Sequence, residues 1–209
     1  MWQAIFDDYK AKGFMVLAIA MDTPDAARPW IEAAKPTYPC LIDRDHHVAD
    51  IYNMVNVPQA VWIDEQGLMV RPPENAGGSD VFRQMDRQAR TLAPDLVAER
   101  DRLKARYVAA IRDWAANGPQ SRFAMDRDKL KARLRPADRS IGEAHAAFRL
   151  GTWLLRNGRS DDAARHFTEA SRLHPQSWNI WRQAATKDQS GLATGPAFFA
   201  RVDALGSRT

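Results

Sequence analysis

Cys40 is the only cysteine of this chain, and a thiol is the side chain here with the most chemistry to offer. Alone it can form no internal disulfide and no cysteine-based metal site. Within Tyr38-Pro39-Cys40-Leu41-Ile42-Asp43 it has two readings. One is a small, buried apolar side chain. The other is a peroxidatic or resolving thiol, which needs exposure and a neighbouring positive charge to favour the thiolate. Arg44, His46 and His47 are close in sequence, but sequence does not aim them at the sulfur. No catalytic residue is therefore assigned, and Cys40 stands as the one candidate. His46 and His47 suggest a metal, yet adjacent histidines on a helix point in different directions and no third ligand follows at a useful spacing. They read as the polar start of a helix, and neither metal nor cofactor is expected. Trp178 and Trp181, three residues apart beside Pro175, read as the core of a helix rather than a ligand stack. The sequence holds no phosphate loop, Gly-x-Ser-x-Gly or His-Glu-x-x-His.

The elements that must hold these residues can be read in order. Trp2, Ile5, Phe6 and Tyr9 recur at helical spacing and stop at Gly13, a usual residue just past a helix end. Phe14–Met21 is continuously apolar and predicts a parallel strand covered on both faces. Thr23 and Pro24 form an N-cap and a first-turn proline for a helix carrying Ala27, Trp30, Ile31 and Ala34, ended by Pro36. A short strand (38–43), a short helix (46–54), and a strand (60–64) opened by Val57-Pro58 follow. Glu65-Gln66-Gly67 makes a hairpin into Leu68–Val70.

Pro72-Pro73 and Gly77-Gly78 read as loop. Ser79 and Asp80 can cap a helix with Val81, Phe82, Met85 and Ala89. Pro94 opens a longer helix striped by Leu96, Leu103, Tyr107, Ile111 and Trp114, stopped by Asn117-Gly118-Pro119. The charged stretch from Gln120 to Ser140 reads as a linker with few core residues.

The ordered set GFMVLAIAMD, the Pro24 helix and YPCLIDRDHHVADIYNMVNVPQAVWIDEQGLMV resembles the thioredoxin-like superfamily, in its TlpA-like thiol–disulfide oxidoreductase and AhpC/TSA redoxin branches. The resemblance implies an α/β fold and covers roughly the first third of the chain. It also implies a Cys-x-x-Cys at the N-terminus of the helix whose tail is Trp2–Lys12. That pair is expected about two turns upstream of Met1, so the chain reads as N-terminally truncated, without the first strands and the active-site motif. By the same resemblance, Val57, Pro58 and Gln59 are the substrate-binding positions. Pro58 would be a cis proline whose backbone pairs with bound substrate; a trans proline entering a strand is the other reading. Gln59 departs from the threonine usual there.

The tail carries a second pattern. Leu150, Gly151, Leu154, Gly158, Ala163, Phe167, Ala170 and Pro175 resemble a tetratricopeptide helix-turn-helix at its own spacing. Gly151 and Ala163 are small, so two antiparallel helices can approach; Leu154 and Phe167 fill the contact, and Asn157-Gly158 makes the turn. A lone repeat cannot bury its faces. Leu103, Tyr107, Ile111 and Trp114 are expected to supply the missing surface around Leu154 and Phe167. Trp178, Ile180, Trp181 and Ala184 form a capping helix, and Gly195-Pro196 opens a last short one.

The expected organisation is a thioredoxin-like α/β domain (1–92), a long helix and charged linker (93–140), an all-α helical hairpin with its capping helix (141–186), and a short C-terminal tail (187–209). An apolar fraction of 45% with seven Trp excludes a mostly disordered chain. The net charge of +4 is interleaved rather than clustered on one face, which argues against nucleic acid as a partner. No apolar run approaches the ~20 residues that span a bilayer. No basic stretch followed by an apolar one opens at Met1, so no signal peptide is visible and the balance leans to the cytoplasm.

Two functions fit. In one, the parent polypeptide performs thiol–disulfide exchange or peroxide reduction and this chain is inactive for want of a cysteine pair. In the other, the chain is a non-catalytic interaction scaffold, its tail docking a protein partner or a second copy. Without the family's central strand, Phe14–Met21 and Ala60–Asp64 are expected to pair directly, to drive dimerisation, or to limit solubility.

Overall fold

The computed structural model describes residues 1–134, 138–189, 193 and 195–204. The chain divides into two units, Met1–Met54 with Pro58–Arg135, and Val55–Val57 with Pro136–Thr209.

The first unit opens with α1 (Trp2–Tyr9) and a 3-10 turn that ends at Gly13 in the left-handed conformation. β1 (Ala18–Ala20) follows, then α2 (Pro24–Ala34), whose N-cap Thr23 accepts the Ala26 N–H. β2 (Cys40–Ile42) pairs in parallel with β1, Ala18 opposite Cys40 and Ala20 opposite Ile42. After α3 (His47–Ile51) come β3 (Gln59–Ile63) and β4 (Met69–Asn75), an antiparallel pair.

β4 runs through Pro72 and Pro73, where the sequence predicted loop. The ladder is irregular there: Ala60 faces Glu74 but Trp62 faces Arg71, so three residues of β4 span two of β3. A bulge tolerates prolines because their missing N–H groups cost no ladder bond. Arg71 clamps the same stretch, its guanidinium donating to both Glu74 carboxylate oxygens at 2.6 and 2.7 Å.

Two sequence expectations fail at the sheets. Phe14–Met21 is not covered on both faces: Met15 is 55% and Leu17 57% exposed, since only three residues form strand and they have one neighbour. Of the three outcomes expected without the family's central strand, direct pairing of this segment with Ala60–Asp64 does not occur, and dimerisation and limited solubility are properties of the chain in solution. β1 pairs with β2 and β3 with β4, in separate two-stranded sheets.

Helix α4 (Pro94–Asn117) explains what covers β3 instead. Its Tyr107, Val108, Ala110, Ile111 and Trp114 join Ile5, Trp62, Phe14 and Phe123 in one core. Trp114 stacks on Trp62 with centroids 5.0 Å apart and 20° between planes, and meets Phe14 edge-on. Aromatic pairs of this kind add to the area they bury. Tyr107, Ile111 and Trp114, expected with Leu103 to serve the tail repeat, therefore lie in the core of the first unit, which runs past the Leu92 boundary read from sequence.

The helix expected from Ser79 is only a 3-10 turn (Asp80–Gln84). The Asp86 carboxylate accepts the Gln88 and Ala89 N–H groups, and Arg90 sits at φ 53°; such a local turn competes with helix. The expected linker also holds structure: α5 (Arg127–Arg133), capped by Asp126, buries Leu130, and the Met125 N–H reaches the Val70 carbonyl at 2.9 Å. Linker residues 135–137 lie outside the described residues.

The second unit packs α6 (Arg139–Arg156), α7 (Ser160–Leu173) and α8 (Trp178–Ala184) around Ala144, Phe148, Leu154, Ala163, Phe167, Ala170 and Ile180. α6 and α7 form a hairpin that turns at Gly158, φ 74°. The first N–H groups of α8 are satisfied by the Ser177 hydroxyl and the Val55 carbonyl, as a buried helix start requires. α9 (Pro196–Asp203) closes the unit. Parts of the expected tail, 190–192, 194 and 205–209, lie outside the described residues.

Candidate functional site

Pro58 stands at the entrance to β3 and is fixed by β4: its carbonyl accepts the Ala76 N–H at 3.1 Å, and Gln59 pairs with Asn75. Val57, immediately before it, is 47% exposed. Beside Pro58 lies a cleft of about 560 Å³, floored by Ala76, Gly77, Gly78 and Val81 and bounded by Arg100, Asp101 and Lys104.

The glycines of this cleft have a steric reason. Gly77 is at φ +78°, and a Cβ there would meet the Tyr107 ring at 3.3 Å. A Cβ on Gly78 would collide with the Asn75 amide, which already accepts the Gly78 N–H. The loop can thus lie close against α4 and leave the cleft open. On its α4 side, Arg100 is engaged by Asp101 at 2.9 Å, whereas Lys104 has no ion-pair partner among the described residues.

Cys40 begins β2, half-buried, its thiol directed to the Tyr38 carbonyl at 3.8 Å. That carbonyl, rather than a side chain of Arg44, His46 or His47, is its hydrogen-bond partner. Burial, and then the neighbouring Cys40, push the Tyr38 phenol above its ordinary value. His46, buried at φ 58°, stands just before α3, and the His47 backbone N–H donates to Asp43. Among the described residues no group of three or more His, Cys, Asp or Glu could hold a metal ion.

Asp43 was not singled out by sequence. It is 6% exposed, and its carboxylate accepts the N–H groups of His47, Val48 and Ala49 at 2.7, 2.8 and 3.4 Å. An acid at a strand's end, four residues before a helix begins, was the available signal. It satisfies donors that the helix leaves unpaired and sets the α3 start at the carboxyl end of the parallel pair.

In the tail, five of the eight residues expected to pack the hairpin are buried: Gly151, Leu154, Ala163, Phe167 and Ala170. Gly158 is the turn and Pro175 is exposed. Leu150 is 43% exposed and lies outside the hairpin core, because the helical period carries it to the opposite face from Phe148 and Gly151.

Residues 2–71 match the family model for the AhpC/TSA family. Over that first third the chain is similar to the thioredoxin-like redoxins of this family. Comparison with curated proteins and with solved structures gives no match. The redoxin match ends at Arg71, within β4, so α4 and the cleft wall it supplies lie beyond the matched segment. No helix among the described residues is long and apolar enough to cross a membrane.

Proposed function

We propose that this chain works as a non-catalytic redoxin scaffold. Val57, Pro58 and Gln59 present an edge for an extended polypeptide, and the helical unit docks a protein partner or a second copy. The observation that carries this reading is the lone thiol. Dithiol exchange needs an attacking and a resolving sulfur; this chain has one cysteine, half-buried and directed to a backbone carbonyl. Dithiol exchange would then belong to a polypeptide that supplies a cysteine pair, and peroxide reduction here would need an exposed, activated Cys40 thiolate, which its half-buried place against a backbone carbonyl does not favour. The tetratricopeptide-like reading of α6 and α7 draws support from Gly151, where a Cβ would lie 2.9 Å from the Phe167 ring: small residues in that pattern let two helices meet.

The test is an insulin-disulfide reductase assay and a peroxide-consumption assay on the whole chain, beside Cys40→Ser. No turnover in either protein is expected. Turnover abolished by Cys40→Ser would make Cys40 catalytic and end the scaffold reading. Turnover that survives the substitution would mean the chemistry sits elsewhere, and would end it equally.

A further inference from the structure

Trp178, Trp181 and Arg182 stand three and four residues apart on α8, so they share one face. Neither tryptophan joins the buried core around Phe148 and Phe167; both stay partly open to solvent. Their rings meet edge-on with centroids 5.7 Å apart, and Phe198 of α9 closes on Trp178 at 5.6 Å. Three residues further along α9 comes Arg201. Its guanidinium lies 4.9 Å from the Trp178 centroid and 5.2 Å from that of Trp181. The Arg182 guanidinium lies 5.7 Å from the Trp178 centroid. Two cations thus share one indole.

Both arginines are anchored. The Val55 carbonyl accepts the Trp178 N–H at 2.7 Å, which seats Asn56 beside α8, and Arg182 donates to the Asn56 side-chain oxygen at 2.7 Å. Arg201 donates to the Pro175 carbonyl. Elsewhere in this unit Arg139, Arg159, Arg165 and Arg172 each face a carboxylate. Arg182 and Arg201 have no ion-pair partner among the described residues. Burial pushes both guanidiniums below the ordinary arginine value, and the charge of Arg201 adds to the fall at Arg182. The buried Arg201 Nε–H has no acceptor among the described residues. Partly buried cations without a counter-charge, one with an orphaned donor, are costly to keep. An anion bound there would relieve both costs.

We propose that Arg182 and Arg201 together bind a phosphoryl group. A phosphate monoester carries a charge of about −1.5 to −2 at pH 7, so it balances two guanidiniums where a carboxylate balances one. Its oxygens suit the forked donors of arginine. The setting beside two indoles strengthens the pairing, because charges attract more strongly where water is excluded. The site lies wholly in the second unit, to which Val55–Val57 also belongs, and does not depend on the thiol chemistry.

The test is isothermal titration calorimetry on the full chain near neutral pH and at low salt, with inorganic phosphate, phosphoserine and acetate as probes. Phosphate and phosphoserine should each bind saturably, and acetate at least ~10-fold more weakly. Arg182→Gln and Arg201→Gln should each raise Kd at least ~10-fold, the scale of a charge-assisted hydrogen bond. Arg172→Gln, whose arginine is already paired with Glu169, should bind as the wild type does. Binding should strengthen as pH rises through about 6, where the phosphoryl group takes its second charge. Circular dichroism melts show whether the variants fold. If the glutamine variants do not, Arg201→Lys, which keeps the charge and loses the fork, should still fold and bind more weakly. Tighter binding of phosphoserine than of phosphate would support the site with a phosphorylated side chain as its ligand; the reverse order would support it with the free ion. No saturable binding by the wild type, acetate bound as tightly as phosphate, or a Kd unmoved in the folded arginine variants would overturn the proposal.

Discussion

Two glycines of α6 show how one substitution can have opposite effects. Gly151 faces α7, where a Cβ would lie 2.9 Å from two Phe167 ring carbons and 3.3 Å from the Ala163 carbonyl oxygen. Gly151→Ala must push the ring or the helix aside, and overpacking of this kind costs about 1–3 kcal/mol. Gly142 has nothing within 4 Å of the same Cβ, so Gly142→Ala should stabilise the helix by up to about 1 kcal/mol. Urea unfolding of the two variants should move the midpoint in opposite directions. Tyr107 gives a pH-dependent counterpart. Burial pushes its phenol above the ordinary value, outweighing the opposing hydrogen bond from Trp62. The unfolded chain then loses this proton at lower pH than the folded one. Stability should be unaffected by this group below pH of about 10 and should fall as pH rises beyond it. Tyr107→Phe should flatten that alkaline limb and, because it removes the acceptor of the buried Trp62 Nε1–H at 3.4 Å, lower neutral-pH stability by about 1 kcal/mol; an identical limb in the variant would show that other groups set it.

At the scale of elements, α4 decides whether the first unit has a core. It supplies Ala110 and Ile111, 7% and 1% exposed, and the Trp114 ring on Trp62. Each large apolar side chain buried contributes about 1.5–3 kcal/mol, against a typical total stability of 5–15 kcal/mol. A chain ending at Leu92 should therefore show no cooperative melt by circular dichroism, while one ending at Leu134 should; equal melts would mean that α4 adds nothing to folding. The stripe on α4 was legible in sequence, since Tyr107, Ile111 and Trp114 fall at helical spacing. Its destination was not. A helical period says which residues share a face and nothing about which surface they meet. The redoxin elements were legible to within a few residues because each carries its own punctuation: Thr23-Pro24 starts α2, Gly13 ends the first helical segment, Gly67 turns the hairpin. Where punctuation competed with local side-chain bonding, as at Asp86, a predicted helix was lost. The prolines of β4 misled for the opposite reason, because a bulge can hold them.

At the scale of the molecule, the two units have separate cores, one around Trp62 and Ile111 and the other around Phe148 and Phe167. Ile111→Ala should cost about 2–5 kcal/mol, and combined with Gly151→Ala its effect should add within about 0.5 kcal/mol, as for sites that share no packing partner. A larger departure in urea titrations would show that the cores are energetically coupled. Of the candidate site, the Val57–Gln59 corner could be found from its motif, and the single cysteine could be found by count. The cleft wall could not be found, because Arg100 and Lys104 are distant in sequence and ordinary on a charged helix. The Trp62–Trp114 stack has one more use. Two indoles nearly parallel at this separation couple their electronic transitions, and the coupling fades steeply with distance. The near-ultraviolet dichroism of this chain should therefore contain a band that exists only while α4 is seated on β3, a built-in optical gauge that reads the assembly of the redoxin unit without any label.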